Sequence, residues 1–274
     1  MSFQPILPAT GYAGWRFLQS TLPAQQETFN RSPEITRLTE YFRETIRSVR
    51  TAEELVADRR LLQVALGAFG LDDDLGNRFF IRKVLEDGIT QDDSLANRLS
   101  DKRYRALSEA FGFGNGLLPN VVRSNFAGDM IARFEARQFE RAVGAQNEDL
   151  RAALAFGPAL QEVVANNRSA RAQWFTVLGN PPLRLVVETA LGLPASMARI
   201  DLDQQLGAFQ RRAEATFGTS NLAALLEPKA QEKMVRLYLI RAEARQSEFG
   251  TGGSVALSLL QAGQASLEAL LPRT

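Results

Sequence analysis

The stretch LLQVALGAFGL at residues 61–71 returns without a gap as LRLVVETALGL at residues 183–193. Leu61, Val64, Ala68, Gly70 and Leu71 recur as Leu183, Val186, Ala190, Gly192 and Leu193, an offset of 122 residues. Each copy places apolar residues at helical spacing and follows them with glycine and leucine. That is the pattern of a buried helix closed by a left-handed residue, with the leucine packing back after the cap. Positive φ is therefore expected at Gly70 and Gly192, and Pro194 makes the second stop firmer. The echo continues. Phe80 and Val84 fall on Leu202 and Leu206 at the same offset. SLANRL (94–99) falls on NLAALL (221–226) at an offset of 127, and Leu107 and Phe111 then fall on Met234 and Tyr238. A five-residue insertion in the second copy accounts for the change. The reading is a duplicated helical unit, one copy near 30–115 and the other near 145–246. Two copies are too few for a solenoid.

Helix signals crowd the rest of the chain. In SPEITRLTEYFRETIRSV (32–49), Ser32 is placed to cap, Pro33 opens the helix and Glu34 sits in its first turn. Ile35, Leu38, Phe42, Ile46 and Val49 form one stripe at spacings of three and four. Thr51 and Glu54 make a capping-box pattern. LPNVVRSNFAGDMIARFEARQFERAVG (118–144) reads as a long connecting helix started by Pro119 and ended by Gly144, with Phe126, Met130, Ile131, Phe134, Phe139 and Val143 inward. No run alternates cleanly with β-branched enrichment, so the fold class is all-α. It is expected as two related multi-helix lobes joined by a long helix, with an amphipathic C-terminal helix. Boundaries follow: an N-terminal arm at 1–30, whose Pro5, Pro8, Gly11, Gly14 and Pro23 break any long helix, lobes at 31–118 and 145–248, and the connector at 119–144. The glycines of EFGTGGS (248–254) separate the last segment, 254–274.

Composition removes whole classes of function. The chain has no Cys and no His, so thiolate nucleophiles, Cys-ligated metals and His-dependent triads are excluded within it. Its 32 basic and 31 acidic residues leave a net charge of +1, and arginine is dispersed beside carboxylates. A nucleic-acid partner is therefore not expected. No run approaches the ~20 apolar residues of a membrane span. The start lacks the pattern of a secretory signal, so the expectation is a protein made and folded in the cytoplasm, with export by a route that needs no cleaved signal left open.

Four stretches invite chemistry. LDDDLG (71–76) lacks the alternating ligands and distal Glu of a calcium loop, and reads as a cap with favourable charge before the next helix. FGFGNG (111–116) has no strand before it and no Lys-Ser/Thr pair, so it reads as a helix end and turn. QDD (91–93) and DLDQ (201–204) read as caps. Trp174, on an apolar helical stretch, reads as core. No catalytic, cofactor-binding or metal-binding residue is singled out, and no cofactor is called for.

Several segments together carry a resemblance. They are VRTAEELVADRRLLQVALGAFGL (49–71), RFFIRKVLEDG (78–88), SLANRLSDKRYRALSEAFGFG (94–114), RQFERAVGAQNEDLRAAL (137–154) and PLRLVVETALGLP (182–194). With the spacing of Asp58, Phe69-Gly70-Leu71, Asp101 and Phe111-Gly112, they resemble the bacterial domain-of-unknown-function family twelve-seventeen, found mainly in alphaproteobacteria. Its members often lie among flagellar genes, so the resemblance implies a role in motility. It carries over no catalytic residues. Absence of Cys is also a habit of proteins that pass the flagellar export channel.

The functional expectation is a non-enzymatic helical interaction protein serving the flagellum as a structural, export-linked or assembly factor. The alternative is a helical enzyme or small-molecule binder using carboxylates and arginines in a cleft between the lobes. A protein partner, flagellar or a second copy, is expected on the apolar face of residues 254–271. Leu259, Leu260, Leu267, Leu270 and Leu271 are its contacts, since a helix of that length is marginal alone in water.

Overall fold

A computed structural model describes residues 3–116, 118–167 and 169–245. Among these the regular structure is helical throughout, with no strand. Two compact units emerge. The first comprises Leu18–Gln146 with the residues before Leu7, and the second comprises Leu7–Phe17 with the residues from Asn147 onward.

The chain begins with α1 (Gly11–Asn30), which overturns the expected arm. A helix of 20 residues runs straight through Pro23. Proline inside a helix costs roughly 3 kcal/mol, so burial on both sides of it has to outweigh that. Leu18 is fully buried and Phe29 meets Phe139 edge-to-face at 5.6 Å. The buried Gln25 amide accepts from the Ile6 N–H at 2.7 Å and donates to the Ile6 carbonyl at 3.2 Å, fixing the strand of chain before the helix.

In the first unit α2 (Pro33–Thr45), α3 (Ala52–Ala57), α4 (Arg59–Ala68), α5 (Arg78–Asp87), α6 (Leu95–Arg98) and α7 (Lys102–Phe111) follow. The Ser32 side chain makes no capping bond. Thr51 does cap α3, accepting from the Glu54 N–H at 3.1 Å, while Glu54 reaches back to the Arg50 N–H at 2.6 Å. The segment expected to connect the lobes belongs to the first unit. Pro119 opens only a short 3₁₀ turn (Asn120–Val122), and α8 (Phe126–Gly144) starts later, lying against α4 and α2. Its six predicted inward residues are all buried.

The second unit holds α9 (Glu148–Asn166), α10 (Ala170–Gly179), α11 (Pro181–Leu191), α12 (Leu202–Phe217) and α13, helical over 228–245. The order of elements repeats. α4, the 3₁₀ turn Asp72–Gly76 and α5 are matched by α11, the 3₁₀ turn Ala195–Arg199 and α12. The packed pairs α2·α4, α3·α4 and α3·α5 have the counterparts α9·α11, α10·α11 and α10·α12.

The echoed helix ends share their hydrogen bonds. The Leu71 N–H reaches the Leu66 carbonyl at 2.9 Å and the Leu193 N–H reaches Glu188 at 3.0 Å, each a six-to-one closure. Gly70 and Gly192 both have φ 67°. Valine at either position must take a left-handed conformation that its branched Cβ opposes. G70V and G192V are each expected to lower stability by about 1 kcal/mol or more, read from urea-unfolding midpoints. Unchanged midpoints would contradict the capping role.

Candidate interaction surface

The carboxylates singled out in the sequence are committed to architecture. Asp58 Oδ1 caps α4 by accepting from the Arg60 and Leu61 N–H groups at 2.9 and 3.2 Å, and its other oxygen accepts from the Tyr41 hydroxyl. Burial alone would raise this carboxyl, but the Tyr41 and backbone donors outweigh it and hold it below its ordinary value. A depressed carboxylate stabilises the fold above its unfolded pKa and loses that contribution as pH falls through the folded value. Asp101 caps α7 through the Arg103 N–H at 3.0 Å, and the Arg103 guanidinium likewise holds it low. Asp201 caps α12 as expected, accepting from Asp203 and Gln204.

Asp72–Asp74 do not cap the next helix. They form the 3₁₀ turn itself, and Asn77 precedes α5 without a side-chain cap bond. Asp72 instead accepts from Gln138 at 2.6 Å and pairs with Arg141 at 3.0 Å, both on α8. Asp74 accepts from the Tyr104 hydroxyl at 2.6 Å. Burial, then that hydrogen bond, pushes the Tyr104 phenol up to about 12. Among the described residues no group of three or more acidic side chains is placed to hold a metal ion. The 91–93 stretch does not cap through its aspartates either, since Ser94 occupies the N-cap of α6. FGFGNG is a helix end, with Gly112 left-handed at φ 71° after α7. Trp174 is fully buried.

What is left facing solvent is apolar in places. Phe79, in the first turn of α5, is 80% exposed. Around it α5 is tied up in ion pairs: Arg82 with Glu53 and Glu86, and Lys83 with Asp87. In the second unit Leu185, Leu202 and Ile240 are each half exposed. Leu259, Leu260, Leu267, Leu270 and Leu271 lie outside the described residues.

Two open depressions lie along α13. One, of about 320 Å³, is lined by Gly192, Leu193, Pro194, Arg241, Ala244 and Arg245. Its arginines serve the C-terminus of α11: Arg241 donates to the Ala190 carbonyl, and Arg245 to the Thr189 hydroxyl at 3.1 Å. Cations are favoured there by the helix dipole. The other, of about 380 Å³, is lined by Pro228, Lys229, Glu232, Lys233 and Arg236. Glu232 is held from the start of α1, accepting from the Tyr12 hydroxyl at 2.6 Å and the Trp15 indole at 3.4 Å. That grouping was missed in the sequence. The available signal was Tyr12 and Trp15 three apart after Pro8, an amphipathic start obscured by the neighbouring glycines.

The fold and its polar groups thus define an all-α protein of two similarly ordered units whose carboxylates cap, pair and brace helices. The chain belongs to the family described as Protein of unknown function (DUF1217), which matches residues 68–232. It is similar to protein AGR_C_984 from Agrobacterium tumefaciens, known from an X-ray crystal structure, at 26% identity and a TM-score of 0.68. The likeness covers 89% of this chain and 99% of that one. No protein of curated function matches the sequence. Among the described residues no helix is long and apolar enough to cross a membrane.

Proposed function

We propose that this chain is a non-enzymatic helical interaction protein of the bacterial flagellum, acting as a structural, export-linked or assembly factor. The observation that carries the interaction reading is Phe79, left 80% exposed at the start of α5. Aromatic side chains are enriched where interfaces bury their core, and a polar rim surrounds that core. The ion pairs of Arg82 and Lys83 supply such a rim. The flagellar part of the proposal rests on the genes among which family members lie. The repeated element order supports a further point: the two units derive from one duplicated helical unit, one of which acquired the exposed phenylalanine where the other has Asp201 at the offset of 122.

The test is affinity capture from motile cells with the whole chain, the F79S variant and a chain ending at Glu248. The whole chain is expected to retain a flagellar protein. F79S is expected to lose it while its stability stays within about 0.5 kcal/mol of the parent, as for other surface substitutions. Loss on truncation at Glu248 would assign part of the contact to the leucines of 254–271. Equal capture by all three chains, or full motility after deletion of the gene, would overturn the proposal.

A further inference from the structure

The C-terminus of α11 meets more cations than a helix end calls for. Arg241 donates from Nη1 to the Ala190 carbonyl, and Arg245 donates to the Thr189 hydroxyl and, at 3.4 Å, to the Leu193 carbonyl. Arg212 donates from Nε to the next carbonyl of the helix, Leu191, at 3.2 Å. A helix C-terminus carries about half a negative charge, and a second one beside it would bring the total to about one. Three guanidinium groups exceed either. The repeat is served more sparingly: after α4 the Gly70 carbonyl accepts from Arg103, which Asp101 neutralises at 2.6 Å. After α12 the Thr216 carbonyl accepts from Lys233.

Among the described residues Arg212, Arg241 and Arg245 form no ion pair. Neighbouring carboxylates are turned elsewhere. Glu188 pairs with Arg184 at 2.9 Å, and Asp149 accepts from the Tyr238 hydroxyl at 2.7 Å. Glu243, two residues on from Arg241 and so on another face of α13, accepts from the Thr10 hydroxyl at 3.5 Å. Arg241 and Arg245 themselves stand four residues apart and half-buried, a like-charge spacing that weakens a helix. The α11 carbonyls fix their orientation. Yet Arg241 bonds only through Nη1, which leaves Nε and Nη2 unspent, and neither of these is buried.

The planar guanidinium fork matches an oxyanion. Beside the two arginines the depression is lined by Gly192, Leu193, Pro194 and Ala244, whose side chains are apolar. An inorganic phosphate would use the cations and leave that lining wet. A carboxylate joined to an apolar group uses both. The end of a peptide chain with an apolar last residue has this chemistry, its charge and its side chain meeting at one carbon.

We propose that the depression between Gly192–Pro194 and Arg241–Arg245 docks the carboxyl terminus of a protein partner whose last residue is apolar. The proposal rests on the interaction reading above and names the chemistry of one partner contact. Its surface is separate from that of Phe79, since the depression belongs to the second unit and Phe79 to the first.

The probe is fluorescein-Gly-Ser-Gly-Leu-Leu with a free carboxylate, followed by anisotropy against the full chain. Its C-terminal amide is expected to bind about tenfold more weakly or worse, because hydrogen bonds to a charged group are lost. A244E sets a carboxylate between the two arginines at an exposed position and is expected to abolish binding of the acid. A170E, the same change at an exposed alanine of α10 that does not line the depression, is expected to leave binding unchanged. If circular dichroism shows A244E unfolded, R241K/R245K takes its place: it keeps both charges, loses the fork, and is expected to weaken binding several-fold. Equal binding of acid and amide, or no binding of the acid at chain concentrations up to about 1 mM, would overturn the proposal. So would equal losses in A244E and A170E, displacement of the probe by inorganic phosphate at lower concentration than by acetate, or a dimer abolished by A244E. Capture of a flagellar partner that survives A244E would remove this site alone and leave the interaction reading standing.

Discussion

Trp174→Ala is expected to lower the unfolding free energy by about 3–5 kcal/mol, the range for deleting a large buried aromatic. The indole is fully buried in α10 and meets Phe209 of α12 edge-to-face at 6.3 Å. Its Nε1–H donates to the Ser220 carbonyl at 2.9 Å, tying down the turn that follows α12. Alanine therefore removes three things at once: buried apolar area, a ring pair, and the partner of a backbone carbonyl. The spread can be divided. Trp174→Phe keeps a ring against Phe209 but orphans the carbonyl, and is expected to cost about 1–3 kcal/mol. Urea unfolding of both variants measures the two parts. A loss below about 1 kcal/mol for the alanine variant would place Trp174 outside any well-packed core.

That tryptophan was legible because its signal is local: an apolar helical stretch around a large ring. Gly70 and Gly192 were legible for the same reason, since a C-terminal closure involves only the last turn and the two residues after it. What was not legible depends on distant partners. α1 looked like a broken arm because Pro23 and two glycines weigh against a helix in any local count. The compensation comes from Phe139, more than a hundred residues away, and from Ile6 clasped by Gln25. Asp72 and Asp74 looked like helix caps because charge before an apolar run usually is. Their real partners, Gln138 and Tyr104, are 66 and 30 residues off. Glu232 follows the same rule: the donors it accepts from, Tyr12 and Trp15, are 220 and 217 residues away.

Gly114→Ala is expected to cost about 3 kcal/mol, the upper part of the range for overpacking. FGFGNG has the look of a phosphate cradle, yet its middle glycine is filled by the protein itself. A Cβ on Gly114 would lie 2.3 Å from the Glu86 carbonyl oxygen and 2.3 Å from the Gly88 nitrogen. Both are backbone atoms, so no side chain can swing aside. Gly88 cannot yield cheaply either. At φ 65° and ψ −156° it sits in a region that glycine alone enters without strain. Its turn is held by Asn115, whose Oδ1 accepts from the Ile89 N–H at 3.2 Å and the Thr90 hydroxyl at 3.3 Å. Gly116 is the internal control. It too has positive φ, 77°, but nothing lies within 4 Å of a Cβ there. Gly116→Ala is accordingly expected to cost about 1 kcal/mol, from backbone strain alone. The difference between the two variants in urea unfolding isolates the close approach of the 86–88 and 114–115 turns. Equal losses would mean that the two turns can separate without penalty, and the space between them would again be open to a ligand.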